Sequence, residues 1–221
     1  MTDQKVPIPA SAKQSAVDAF FARAKITRAR LIFGLDATAS RQPTWDTASH
    51  LQAEMFAEVS RLGGLDVQLV YYRGHGECQA SHWTSDPNEL TRIMSKIDCR
   101  SGHTQIQRIL EHARRENIRQ KVHALVFVGD KVEEVPADLY DAASGLGLPA
   151  FMFQEGDDKN AGKSLKEIAS RTKGAYAAFG ENSAKELAEL LRAVAAFAVG
   201  GVAALADQNS TAAVKLLAQL K

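Results

Sequence analysis

The stretch Arg30-Leu31-Ile32-Phe33-Gly34-Leu35-Asp36-Ala37-Thr38-Ala39-Ser40 decides the fold. Arg30 to Leu35 is an apolar run of strand length, and it stops abruptly at an acid. A strand apolar on both faces belongs in a parallel sheet covered on both sides. In such sheets ligands bind outside the carboxyl ends of the strands, so the polar residues that follow Leu35 are where function is to be sought.

Working outward, the chain alternates strands and helices. Before this strand, Val17, Phe20, Phe21 and Ala24 recur at three- and four-residue spacings and predict a helix over Ser15 to Ala24. After it, Ala48, Leu51, Met55, Val59 and Leu62 predict a helix over Trp45 to Leu62, opened by Pro43 and stopped by Gly63-Gly64. Val67 to Tyr72 reads as a strand. Gln79 to Trp83 reads as a short edge strand beyond the turn Arg73-Gly74-His75-Gly76. A helix over Pro87 to Ile97 and another carrying Ile106, Ile109, Leu110 and Ala113 flank the polar loop Asp98 to His103. Strands are predicted at His123 to Val128, Pro149 to Phe153 and Ala175 to Phe179, and helices at Leu139 to Leu146 and Leu165 to Thr172. A long helix through Leu187, Leu190, Leu191, Val194, Phe197 and Ala198 follows. Gln208 to Lys221 reads as a separate short helix with Val214, Leu217 and Leu220 on one side. The fold class is therefore α/β: a three-layer sandwich with a central, mostly parallel sheet flanked by helices, Rossmann-like in plan.

Composition narrows the function. The 221 residues are 45% hydrophobic, which excludes a disordered chain, and hold only two cysteines, which excludes a disulfide scaffold. With 27 Lys+Arg against 26 Asp+Glu the net charge is +1, so nothing draws the chain as a whole to nucleic acid or acidic lipid. The basic cluster Arg114, Arg115, Arg119 and Lys121 reads as a solvated helix end. No secretory signal is visible, and the most apolar window, Ala193 to Ala206, is short of the roughly 20 residues a membrane span needs. The expected address is the cytoplasm.

The strand ends carry the chemistry. Asp36, Thr38 and Ser40 alternate, so their oxygens can point the same way. Asp130 follows the strand that ends at Val128. Thr104 stands in the loop Ser101-Gly102-His103-Thr104 that opens a helix. Carboxylates and hydroxyls suit a hard cation such as Mg²⁺. Asp36-x-Thr38-x-Ser40, Thr104 and Asp130, in this order and at strand ends, resemble the metal-ion-dependent adhesion site of von Willebrand factor A (VWA) domains. Gly102-His103-Thr104-Gln105-Ile106 is similar to that family's loop running into a helix. The resemblance divides the chain into an N-terminal arm and helix (1–27), a VWA-like domain (28–206) and a C-terminal helical tail (207–221). It implies that Asp36, Thr38, Ser40, Thr104 and Asp130 hold Mg²⁺, or Mn²⁺ or Ca²⁺, directly or through water. It also implies that the open coordination position takes an acidic residue of a protein partner, so that the chain is a binding module and not an enzyme, a cytoplasmic scaffold or assembly factor.

Other readings compete. Asp36, Thr38 and Ser40 also suit a helix-capping loop. Lys131, next to Asp130, could stand in for the cation and leave a VWA fold with an empty metal site. A strand-end Asp with Mg²⁺ also suits a phosphate-ester hydrolase, but Thr38 occupies the position where a second acid is needed. His75, Cys78, His82, Cys99 and His103 form a second group that suggests zinc or a Cys78–Cys99 bridge, against an ordinary polar hairpin with two thiols. The long C-terminal helix leaves homo-oligomerisation open.

Overall fold

The computed structural model describes residues 28–41, 64–180 and 184–220. The helices expected over Ser15 to Ala24 and Trp45 to Leu62 lie outside these residues. Six strands form one sheet: β1 (Ala29–Asp36), β2 (Leu65–Arg73), β3 (Glu77–Ala80), β4 (Ala124–Gly129), β5 (Ala150–Glu155) and β6 (Tyr176–Phe179). Their spatial order is β3-β2-β1-β4-β5-β6, parallel throughout except for β3, which returns as a hairpin against β2. Among the described residues the helices are α1 (Pro87–Met94), α2 (Ile106–Arg119), α3 (Pro136–Ser144), α4 (Lys159–Arg171), α5 (Ala184–Ala206) and α6 (Thr211–Leu217).

The pleat sorts the central strands onto two cores. Leu31, Phe33 and Leu35 of β1, Val126 and Val128 of β4, and Phe151 and Phe153 of β5 face α1, α5 and α6. Ile32, Leu125, Phe127 and Met152 face the opposite way, onto Ile106, Ile109 and Leu110 of α2, Leu139 of α3 and Leu165 and Ile168 of α4. This is the three-layer sandwich that the apolar strands predict.

Some boundaries differ from the sequence reading. The edge strand is Glu77–Ala80, earlier than Gln79 to Trp83, because the Gly74 and Gly76 backbones take positive φ and turn the chain tightly into pairing with β2. Val214 does not share a face with Leu217 and Leu220: it is exposed, while Ala212, Ala213 and Leu216 pack into the core with α5. The small alanines, invisible to a pattern of large apolar residues, decide which side of α6 is buried.

α5 runs 23 residues, longer than the apolar window Ala193 to Ala206. By length and composition it could cross a membrane, but half of its most apolar stretch is buried in the fold. Its backbone breaks at Gly201, where φ is +67°. At the far edge of the sheet, Gln219 brackets Tyr176. Its Oε1 accepts from the Tyr176 N–H (2.9 Å) and its Nε2 donates to the Tyr176 carbonyl (2.9 Å), while Lys215 Nζ donates to the Ala178 carbonyl (3.2 Å).

At the amino ends of the strands, Arg30 lies over the Trp83 ring (3.8 Å) and pairs with Glu116 (3.0 Å), which also accepts from Trp83 Nε1 (2.9 Å). The Arg30 N–H donates to His123 Nδ1 (3.0 Å), an acceptor only when the ring is neutral there. Burial holds both His123 and His112 below the ordinary imidazole value of 6.5. The unfolded chain therefore takes up these protons first as pH falls. The stability these neutral rings contribute is complete above about pH 6.5 and drains away as pH drops toward their folded-state values. The melting temperature is expected to fall over that window, with both imidazoles titrating below 6.5 in an NMR pH series. Midpoints at or above 6.5 for both rings would contradict it.

Candidate functional site

The strand order places a topological switch between β1 and β4: the chain leaves β1 toward β2 on one side and returns to β4 on the other. A crevice opens at the carboxyl ends of such a pair. Asp36 ends β1 and Asp130 follows β4 directly, so both sequence-predicted acids stand at this switch. A side chain at Gly129 would come within 3.3 Å of Asp36 Cβ, a measure of how closely the two strand ends approach.

Asp36 is fully buried. Its Oδ1 accepts the Thr38 N–H (2.8 Å) and its Oδ2 accepts the Tyr72 hydroxyl (2.9 Å). Burial raises its pKa, and the charge of Asp130 adds to the rise, against the hydrogen bonds from Thr38 and Tyr72. The Thr38 and Ser40 hydroxyls lie 3.3 Å apart, the convergence that their alternation predicts. The loop keeps this shape because it continues to pair with its neighbours. The Ala37 N–H donates to the Tyr72 carbonyl (3.0 Å) and the Arg100 N–H to the Ala37 carbonyl (3.0 Å), before a short 3-10 turn over Ala39–Arg41.

Thr104 is buried, but its partner is Glu133 and not an acid of the cluster. The Thr104 N–H donates to Glu133 Oε2 (3.0 Å), and the Glu133 N–H donates to Thr104 Oγ1 (2.9 Å). Glu134 accepts from the Ile106 and Gln107 N–H groups (2.8 Å each), capping the start of α2 from another loop. These bonds lash the Asp130 loop to the Thr104 loop. Gly102 sits against the backbone of Gly74, where a Cβ would collide with the carbonyl.

The donor set fits a hard divalent cation on one observation: Asp130 Oδ1 is buried with no hydrogen-bond partner among the described residues. A buried, orphaned carboxylate oxygen beside a second acid and paired hydroxyls is what an oxygen-liganded ion would satisfy. No group of three or more His, Cys, Asp or Glu side chains suited to a metal occurs among the described residues, so a site here would lean on hydroxyls and water.

Sequence reasoning missed Arg41. It is 1% exposed and ion-paired with Glu155, itself 6% exposed, at the end of β5. Burial lowers its pKa, while the charges of Asp36 and Asp130 pull the other way. Lys131, the alternative stand-in for the cation, is exposed; the buried cation on which the charges of Asp36 and Asp130 act is Arg41. Glu155 could have been found by the rule that strand-end residues matter, had β5 been extended past Phe153. The second group does not assemble as a zinc centre. His82 pairs with Glu89 (2.9 Å), His75 meets His103 edge to face (5.2 Å), and Cys78 and Cys99 are thiols packed on opposite faces of the sheet.

No family model matches the chain, and no curated protein does. Solved structures do. A von Willebrand factor type A protein from Catenulispora acidiphila is 19% identical, with a TM-score of 0.63 over 79% of this chain and 43% of that one. This chain thus spans less than half of that protein's length. The SpRpn10 VWA domain is 12% identical, with a TM-score of 0.58 over 73% of this chain and 95% of that domain. The vWF domain of the type V pili tip protein Mfa5 from Porphyromonas gingivalis is 13% identical, with a TM-score of 0.61 over 76% and 94%. The fold is that of a VWA domain.

Proposed function

We propose that this chain is a protein-binding module that engages an acidic side chain of its partner through a divalent cation at the ends of β1 and β4. The orphaned, buried Asp130 Oδ1 is the observation that carries this reading. Asp130 and Asp36 supply the negative charge, Thr38 and Ser40 the paired hydroxyls, and Thr104 a hydroxyl fixed by its bond to Glu133. The ion, Mg²⁺ or equally Mn²⁺ or Ca²⁺ by donor chemistry, offers a coordination position to the partner's carboxylate. Asp36 is held by Thr38 and Tyr72 and fully buried, so it orients and charges the site and is not poised as a nucleophile; this favours binding over phosphate-ester hydrolysis. The reading places the module in the cytoplasm as a scaffold or assembly factor, without nucleic acid or membrane.

The test is selection of peptides from a random display library on the immobilised protein in Mg²⁺. Selected peptides are expected to carry Asp or Glu, to elute with EDTA and to be lost on Asp36→Ala protein that retains its native circular dichroism. Peptides that ignore both EDTA and Asp36→Ala would sink the reading.

A further inference from the structure

Arg41 is a buried cation on which the charges of Asp36 and Asp130, the acids of the proposed ion site, already act. The sheet register explains how. Leu35 lies opposite Val128 and Gly129 opposite Gln154, so one step further Asp36 falls opposite Gly129 and Asp130 opposite Glu155: the three acids cluster at the ends of β1, β4 and β5, with Asp36 one residue out of line with the other two. Arg41 leaves the turn after β1, where its N–H donates to the Thr38 carbonyl (3.0 Å), and reaches Glu155, two strands away. Two strand spacings are about 10 Å. A side chain that spans from the turn after β1 to the end of β5 passes the end of β4, and the charge of Asp130 there acts on it.

The charges at these strand ends can be counted. Asp36, Asp130 and Glu155 carry three negative charges when ionised and Arg41 one positive, which leaves two negative charges. One divalent ion balances that remainder. A dication entering beside a buried guanidinium meets repulsion that is screened little by water. Glu155 opposes this by holding the guanidinium at the end of β5.

Resting on the metal-site reading above, we propose that Arg41 and Glu155 set the cation affinity of the site: Arg41 is a tethered competitor of the metal, and Glu155 holds it aside. Arg41 is thus a positioning residue and an antagonist of the ion, not a ligand.

Calorimetric titration with Mg²⁺ and Mn²⁺ alone tests this on the full chain. Arg41→Met is expected to bind at least tenfold more tightly than the wild type, and Glu155→Gln, which lets the guanidinium turn fully on Asp36 and Asp130, at least tenfold more weakly. A pair that merely braced the turn after β1 would weaken binding in both variants. Arg41→Lys, which keeps the charge, is expected to stay within about threefold of the wild type, and this comparison stands even if Glu155→Gln does not fold. Asp36→Asn placed in the Arg41→Met chain must abolish binding; retained binding puts the ion elsewhere and overturns the proposal. Binding by the wild type that Arg41→Met leaves unchanged or weakens also overturns it while the metal site stands. Binding by Arg41→Met where the wild type binds none supports it in its strongest form. No binding by either overturns the metal reading and the proposal together.

Discussion

Glu155→Leu is expected to destabilise the fold by about 3 kcal/mol, and Arg41→Met in the same chain to restore most of that loss. Breaking a buried ion pair by removing one partner costs roughly 3–5 kcal/mol, because the other charge is left in a poorly polarisable surrounding. Arg41 is 1% exposed, so water cannot replace Glu155. Asp36 and Asp130 still face the guanidinium, which places the expected loss at the lower end of that range. Replacing both members by apolar side chains removes the desolvation cost along with the attraction and is often neutral or stabilising. Urea denaturation at pH 7 on the four chains of the cycle measures it. A single-variant loss below about 1 kcal/mol, or a double variant no more stable than Glu155→Leu, would show that the pair is not the buried, mutually dependent unit described above.

Gly102→Ala should cost roughly 2–3 kcal/mol, the upper part of the range for forcing atoms into a filled space. The obstacle is the Gly74 backbone, which no rotamer change can move. Relief requires the two loops to separate, and the 102 loop carries Thr104 and leads into α2. Cation affinity is therefore expected to fall together with stability. Gly145→Ala is the control: it has ordinary negative φ, and its nearest neighbour would lie 3.8 Å from the new Cβ, so a change within about 0.5 kcal/mol is expected. Equal urea midpoints for the two variants would contradict the close approach.

Local pattern carried most of the fold. Runs such as Arg30 to Leu35 and His123 to Val128 are apolar on both faces because both faces of β1 and β4 are covered, and the helices between them show their buried stripe at helical spacing. Alternation brought the hydroxyls of Thr38 and Ser40 together, and strand-end position put Asp36 and Asp130 at the switch. Thr104 is tied to the Asp130 loop by a route that spacing does not encode, a reciprocal bond with Glu133. Arg41 was illegible for a different reason. A charged side chain after a polar loop reads as solvated, and only the fold brings Glu155, on a strand far along the chain, to meet it. Tyr72 went unread as a site residue because a tyrosine at the end of an apolar strand looks like core. It is core, but its hydroxyl also fixes the orientation of Asp36.

The clasp of Gln219 and Lys215 on β6 has a consequence for self-association. A sheet edge is a template on which another chain can add a strand, and β6 is the outer strand on its side. Here the N–H and carbonyl of Tyr176 and the carbonyl of Ala178 are taken by side chains from the end of the chain. The opposite edge, β3, is four residues long and follows a tight turn. A second copy therefore finds these three groups of the β6 edge already taken. Lys215 and Gln219 act as a guard on this edge, separated by β5 from the ends of β1 and β4 where Asp36 and Asp130 stand.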